Sequence, residues 1–354
     1  MDFGISLLPD AGPDTKSPTA YFDDVLALAR IADEAGMSHV KMTEHYLHPY
    51  GGYCPSPLGF LAAVAAQTTN IRLMTGCVLP AFHHPVKLAS YAAMVDAISH
   101  GRLDIGFARA YLPYEFETFG VDMDSSRERF EATIKAVLRL WTEEDVTEDT
   151  PFFSYRNATI LPRPTQTPHP PVWAAAVRSP ESFTRIGELG LGLLITPSLT
   201  PLEAVREQVA LYRDAFERTH GDSGQQPRVA ASLPVFTAET DAEARRLGDP
   251  LLAEYLRVWG GATSSWNSAT SKAYPGYDQV GKYVGMITPE RLRTEGGAVV
   301  GSAATVTEKL AAFQDVVRAD HILLQADFGA MPGDVAERSL RLFLEDVRPK
   351  FLTA

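Results

Sequence analysis

Strand-like and helix-like segments alternate along almost all of this 354-residue chain, and that alternation sharply limits what it can fold into. Short apolar runs start at Phe3, His39, Ile71, Leu103, Val172, Gly192, Val229 and His321, and a segment with helical periodicity follows each. The helices over 18–35 and 85–99 are closed by Gly36 and Gly101, residues that adopt the left-handed end of a helix with least strain. Eight βα units in a chain of this length predict an α/β fold of the (β/α)8 TIM-barrel type. A doubly wound open sheet is the competing architecture. It calls for a glycine-rich phosphate turn after the first strand, and the PDAGPDTK that follows Leu8 has no G-x-G-x-x-G.

Two stretches break the rhythm. Residues 142–171 are charged and then proline-rich, with a hairpin expected around 152–160. Residues 260–297 are rich in Gly, Ser, Thr and Tyr and weakly periodic. They fall between the seventh and eighth strands, on the face where such a barrel binds ligands, and read as a mobile lid loop. The expected organisation is one domain, 1–354, with insertions at 142–171 and 260–297.

Charge narrows the partners. With 32 Lys and Arg against 44 Asp and Glu, the net charge of -12 argues against nucleic acid and against a membrane surface. A bound phosphate would need a local cluster of cations. Two cysteines, Cys54 and Cys77, are too few for a disulfide framework, so a reducing cytoplasmic setting is expected. MDFGISLLPD reads as a first strand, not a signal peptide, and no apolar run approaches the ~20 residues of a membrane span.

In a barrel the ligand site is assembled from the carboxyl ends of the strands. The second strand ends in Glu44-His45-Tyr46. The third passes through Thr75-Gly76-Cys77, with His83-His84 beyond. The fourth ends in Ala108-Arg109 and runs into an aromatic loop holding Tyr111 and Tyr114, after which Arg127 sits in the first turn of a helix over 126–141. The fifth ends in Val177-Arg178, followed by Ser179-Pro180-Glu181-Ser182, a helix start with Ser at the N-cap and Pro at N1. Free N–H groups, the positive helix end and a neighbouring arginine make an anion site there. Arg109 and Arg127 converge on the same quadrant, which points to a phosphate. A metal cluster of His45, His48, His83 and His84 is the rival. The H-x-x-H spacing falls in a loop beside Pro49 with no helical face to align the rings, so no metal is expected. There is no G-x-S-x-G elbow or P-loop, and neither cysteine is placed as a nucleophile. The tyrosines 46, 111 and 114 either line an aromatic substrate pocket or are packed loop residues.

These residues resemble the bacterial luciferase-like family of flavin-dependent monooxygenases. GRLDIGFARAYLPYEFETFGVDMDSSRERF (101–130) is similar throughout to the family's fourth-strand segment, including the strand-ending arginine and the F-G-x-D-M-D-x-S-R tail. TEHYLHPYG, VLPAFHHPVKLA and SPESFTRIGELGLG resemble further family segments. The resemblance implies FMN as cofactor, used reduced and supplied by a separate NAD(P)H:flavin reductase. It implies O2 as cosubstrate, with one oxygen inserted into a small organic substrate, of secondary metabolism, through a flavin C4a-(hydro)peroxide. Carried over residue by residue, His45 is the active-site histidine, and Glu44 beside it is the second residue of the expected catalytic pair. Thr75 and Gly76 match a pair joined by a non-prolyl cis peptide under the flavin ring. Ala108, Arg109, Arg127, Arg178, Ser179 and Ser182 match positions around the ring and its phosphate. The chain departs from the family pattern in two places: the second histidine is Tyr46 and the flavin-side cysteine is Ala108. Those departures count against light emission and a long-chain aldehyde. A deazaflavin-dependent oxidoreductase and a non-catalytic flavin-binding protein of the same fold are the alternatives. The family pairs barrels through the helices here expected at 58–69 and 85–99, which are Ala-rich, so a homodimer is expected.

Overall fold

A computed structural model describes residues 1–197 and 200–352. Eight strands are parallel and close on themselves: β1 (Asp2–Leu7), β2 (His39–Met42), β3 (Arg72–Thr75), β4 (Leu103–Phe107), β7 (Val172–Ala175), β8 (Gly192–Ile195), β9 (Val229–Ala238) and β11 (His321–Gln325). Closure comes from pairing of β8 with β9, β9 with β11 and β11 with β1. All eight expected strands are present. The hairpin of the first insertion, β5 (Val146–Asp149) with β6 (Ser154–Ala158), starts earlier than the sequence suggests.

Helices α1 (Pro18–Glu34), α2 (Pro57–Ala65), α3 (Pro85–Ile98), α4 (Pro113–Phe119), α5 (Ser126–Thr142), α6 (Pro180–Glu188), α7 (Leu202–His220) and α8 (Asp241–Thr263) cover the outside or cap the ring. Their starts are chemically marked. Ser17 and Ser56 hydroxyls accept the backbone N–H of Ala20 and Gly59, and a proline follows each cap. Among the described residues no helix is long and apolar enough to cross a membrane.

The pleat sorts side chains in two directions. Phe3, Ile5 and Leu7 of β1, with Val40, Leu73, Ile105 and Leu193, pack outward against the helices. Met74, Trp173, Leu194, Ala230 and Leu323 fill the barrel interior. The first insertion is tied down through buried Asp96 of α3, whose carboxylate accepts the backbone N–H groups of Thr165 and Gln166 and the Gln166 side-chain amide.

The segment expected as a lid loop over 260–297 is built differently. α8 runs on to Thr263, a 3-10 turn spans Ser264–Ser268, another spans Tyr277–Gln279, and α9 (Val280–Gly285) and α10 (Pro289–Thr294) follow. Helices this short complete too few turns to show a period, which is why the sequence reads as loop. A further strand, β10 (Val299–Ser302), pairs parallel with the far end of β9, and α11 (Ala303–Val317) and α12 (Gly333–Leu342) close the chain.

At the amino end of the barrel a polar layer replaces apolar packing. Asp104 is bonded to His39 at 2.9 Å and to the Arg72 guanidinium, and the His321 ring lies 4.6 Å from that of His39. Burial pushes the Asp104 carboxyl up, but the bonds from His39 and Arg72 outweigh it and hold the group below its ordinary value of 3.8. Its contribution to stability is therefore present above that pH and lost as pH falls through the folded value. Asp104→Ala leaves buried His39 without its partner and is expected to destabilise the fold by about 3 kcal/mol. Thermal denaturation checks this, and an unchanged melting temperature contradicts it.

Candidate active site

The end of β2 is held by two buried carboxylates. Glu44 accepts the backbone N–H of Leu79 at 3.1 Å on one oxygen, and on the other it faces His83 Nε2 at 2.7 Å and accepts the Tyr46 hydroxyl. Both oxygens are engaged, so Glu44 ties the β2 end to the loop after β3. The sequence reading placed it in the catalytic pair; the geometry makes it a positioning group. Glu115 of α4 does the comparable work for His45. One oxygen lies 3.1 Å from His45 Nδ1 and accepts the backbone N–H of Tyr46 at 3.0 Å, while the other has no hydrogen-bond partner among the described residues. A carboxylate accepts only from a protonated Nδ1, so the lone pair of the neutral ring sits on Nε2, the atom left to exchange a proton.

The His45 ring is packed against Tyr50, centroids 5.1 Å apart, and edge-on to Tyr111 at 6.0 Å. Gly51 makes this possible: a Cβ there would lie 2.5 Å from that of His45, and the residue has a φ of +76°. Tyr50 and Tyr111 share a hydroxyl hydrogen bond, and burial pushes both phenols up. Tyr46 packs its ring on Phe119 at 4.8 Å; burial first and then the Glu44 charge push its phenol up. Tyr114 lies beside His48, ring centroids 4.2 Å apart, with its hydroxyl unpartnered among the described residues. The three expected pocket tyrosines thus stand near the Glu44–His45 turn. Glu115 was not a candidate from sequence. Its one signal is an acid set between Tyr114 and Phe116, in a helix that the sequence reads as loop.

The second quadrant carries the arginines. Arg109, at the end of β4, donates to the Ala273 carbonyl at 2.7 Å and lies 4.4 Å over the Tyr274 ring. The charge of Arg127 also acts on Tyr274 and that of Arg178 on Tyr277, while burial pushes both phenols up. Beside them α6 begins with Ser179 at the N-cap and Pro180 at N1, as the sequence implies, and Ser182 lies in its first turn. The Ser179 hydroxyl does not cap the helix; it donates to the Glu181 carboxylate. The Ser179 bond, a backbone N–H and the charge of Arg127 hold the Glu181 carboxyl below its ordinary value. The chain's own carboxylate therefore occupies this helix start, where the positive helix end favours negative charge.

Between the two quadrants lie Thr75, Gly76 and Ala108. Ala108 packs at the boundary of the barrel interior and an aromatic cluster containing Phe116, Trp266 and Tyr274. The non-prolyl cis peptide joins Gly76 to Cys77, one bond later than the Thr75–Gly76 pair to which the sequence comparison assigns it. Thr75 instead faces β4, its hydroxyl donating to the Gly106 carbonyl at 2.9 Å. His45 and His83 serve different carboxylates, and among the described residues no three His, Cys, Asp or Glu side chains gather as metal ligands.

The profile of a family described as luciferase-like monooxygenase matches residues 1–319. The chain is 28% identical to the oxygenase component of a flavin-dependent trigonelline monooxygenase from Acinetobacter baylyi, over 99% of this chain and 96% of that protein. A solved structure of monooxygenase RslO1 from Streptomyces bottropensis is similar at a TM-score of 0.88 and 40% identity, covering 99% of this chain and 100% of the other. The oxygenating constituent of 3,6-diketocamphane monooxygenase from Pseudomonas putida, in complex with FMN, shares the fold at a TM-score of 0.80, with 22% identity and coverage of 99% and 98%.

The segment over the site is latched by few contacts. Trp266 donates to the Tyr111 carbonyl at 2.9 Å, Tyr274 donates to the Ala110 carbonyl, and Asp124 accepts the Lys272 N–H at 2.8 Å. Removing two latches at once, in Arg109→Ala combined with Asp124→Ala, should raise amide exchange over 264–279 by roughly a hundredfold, the scale of two lost hydrogen bonds to charged groups at about 1.5 kcal/mol each. Exchange unchanged from wild type would show that these contacts do not hold the segment.

Proposed function

The chain belongs to the luciferase-like monooxygenase family, and we propose that it is the oxygenase component of a two-component flavin-dependent monooxygenase. Residues 1–354 act as one domain in the cytoplasm, with reduced FMN delivered by a separate NAD(P)H:flavin reductase, O2 as cosubstrate and a small organic molecule as acceptor. One observation carries this reading: a histidine fixed at Nδ1 by a buried carboxylate after β2 shares the carboxyl end of the barrel with Arg109 after β4, Arg178 after β7 and the start of α6. The relative from Acinetobacter, described as an oxygenase component, supports the two-component arrangement.

The residues divide the work. Arg109, Arg127 and Arg178, with Ser179 and Ser182 at the start of α6, would hold the flavin phosphate. Thr75, Gly76 and Ala108 form the floor for the ring. Bound reduced flavin supplies the electrons that activate O2. His45 Nε2 holds or gives the proton that the oxygen chemistry requires, while Glu115 keeps Nδ1 protonated and the ring in one orientation. Trp266 and Tyr274, both buried in the latched segment, exclude water from the mouth. Tyr46, Tyr111 and Tyr114 make an aromatic wall, suited to an aromatic or polycyclic substrate of secondary metabolism.

A homodimer fits the surface. Tyr91, Met94 and Ile98 of α3 are 47%, 45% and 43% exposed and share one helix face.

His45→Ala is expected to lower product formation with reduced FMN and O2 by roughly a hundredfold or more, while FMN affinity changes by less than about threefold. Single-turnover assays with an aromatic substrate panel measure the first and fluorescence titration the second; wild-type turnover in the variant would refute the assignment of His45. Met94→Glu buries a charge at the proposed dimer face and should convert the dimer to monomer on light scattering. A wild-type protein that is monomeric at the same concentration would refute the dimer.

A further inference from the structure

The mouth of the barrel is chemically lopsided. On the β4, β7 and β8 side the inward positions are Ala108, Ala175 and Leu194, packed with Met74, Trp173 and Leu323. On the β11, β1 and β2 side they are Gln325, Ser6 and Lys41, neighbours in register, with Asp327 two residues beyond Gln325 on the same face. Lys41 and Asp327 are each 7% exposed and Gln325 is 4% exposed. Buried polar groups are normally hydrogen-bonded. Here Gln325 Nε2 and Asp327 Oδ1 have no partner among the described residues. The other Asp327 oxygen accepts the Tyr21 hydroxyl at 2.8 Å.

The Lys41 ammonium makes one long contact among the described residues, 3.5 Å to the Gly76 carbonyl. Its stem passes so close under Gly76 that a Cβ there would lie 2.2 Å from Lys41 Cγ. Glycine at that position is therefore what lets the lysine head reach the strand ends. Burial lowers the Lys41 ammonium from its ordinary value, opposed by the charges of Cys77 and Asp327, and burial together with the charge of Asp10 pushes the Asp327 carboxyl up to about 7. Burial dominates both shifts; at Asp327 the Tyr21 hydroxyl, the Leu8 backbone and the charge of Lys16 offset only part of it.

The unmet set is an amide donor, a carboxyl acceptor and an ammonium. The matching ligand edge carries a carbonyl acceptor, an N–H donor and an atom bearing negative charge. The dioxopyrimidine edge of a flavin has this pattern, with an imide N–H between two carbonyls and, in the reduced ring, a negative charge shared between N1 and its neighbouring carbonyl. In the closed ring of eight strands β1 stands opposite β7, so this polar half faces the arginine quadrant across the mouth. Resting on the flavin reading above, we propose that Lys41, Gln325 and Asp327 form the socket for the dioxopyrimidine edge. Lys41 is then a specificity-determining residue that favours the reduced, anionic ring over the oxidised one.

Anaerobic titration of the wild type, Lys41→Met and Gln325→Leu with oxidised FMN, reduced FMN and reduced N3-methyl-FMN tests the proposal. Lys41→Met should lose about tenfold in affinity for reduced FMN, with oxidised FMN affected less than about threefold, and the midpoint potential of bound FMN should fall. N3-methylation removes the imide N–H and should weaken binding to the wild type by about tenfold. This second measurement uses the unaltered protein, so it stands even where a variant misfolds. Lys41→Met keeping the wild-type preference for reduced flavin, or N3-methyl-FMN binding the wild type as tightly as FMN, overturns the socket and leaves the flavin reading intact. A wild type that binds FMN in neither redox state overturns both.

Discussion

The N–H and C=O groups of a buried parallel strand must find partners within the sheet, and here the ring closes because β8 reaches β9 and β11 reaches β1. Closure forces alternate side chains inward and brings all eight carboxyl ends to one face. His45, Arg109 and Arg178 follow three different strands, and only the ring makes them neighbours across a mouth. Without closure, the polar positions of β11, β1 and β2 would face solvent and need no partners.

Buried carboxylates do much of the joining that the strands leave undone. Asp104 binds β2, β3 and β4 together at the amino end through His39 and Arg72. Asp96 secures the first insertion, Glu44 joins the β2 end to the loop after β3, and Glu115 joins it to α4. A charge this deep is stable only when fully engaged, and removing a partner costs more than its hydrogen bond is worth. Glu115 meets that requirement on one oxygen only. That unpartnered oxygen belongs to the carboxylate that holds His45.

The arginine quadrant and the covering segment are mechanically linked. The guanidinium of Arg109 is bonded to the Ala273 carbonyl and stacked on Tyr274. A displacement of Arg109 is therefore felt directly by the segment that carries Ala273 and Tyr274. The segment is anchored by Trp266 and Tyr274, which are buried in one cluster with Leu79, Ala110 and Phe116.

The barrel was legible from one dimension because periodicity and caps are local: apolar runs at Leu103 and Gly192, Gly36 after α1, Ser179-Pro180 before α6. The strand-end rule likewise makes His45, Tyr46, Arg109 and Arg178 candidates from sequence. Other features depend on residues far apart in the chain. Glu115 matters because α4 carries it to a histidine seventy positions earlier. Lys41 and Gln325 become neighbours only through the β11–β1–β2 register, and Trp266 gains its place from a carbonyl at Tyr111. Local propensity thus determined the eight barrel strands, the longer helices and their order, but not short helices such as α4, α9 and α10. The partners of each buried charge were decided by tertiary closure, because a hydrogen bond between distant residues leaves no periodic trace in sequence.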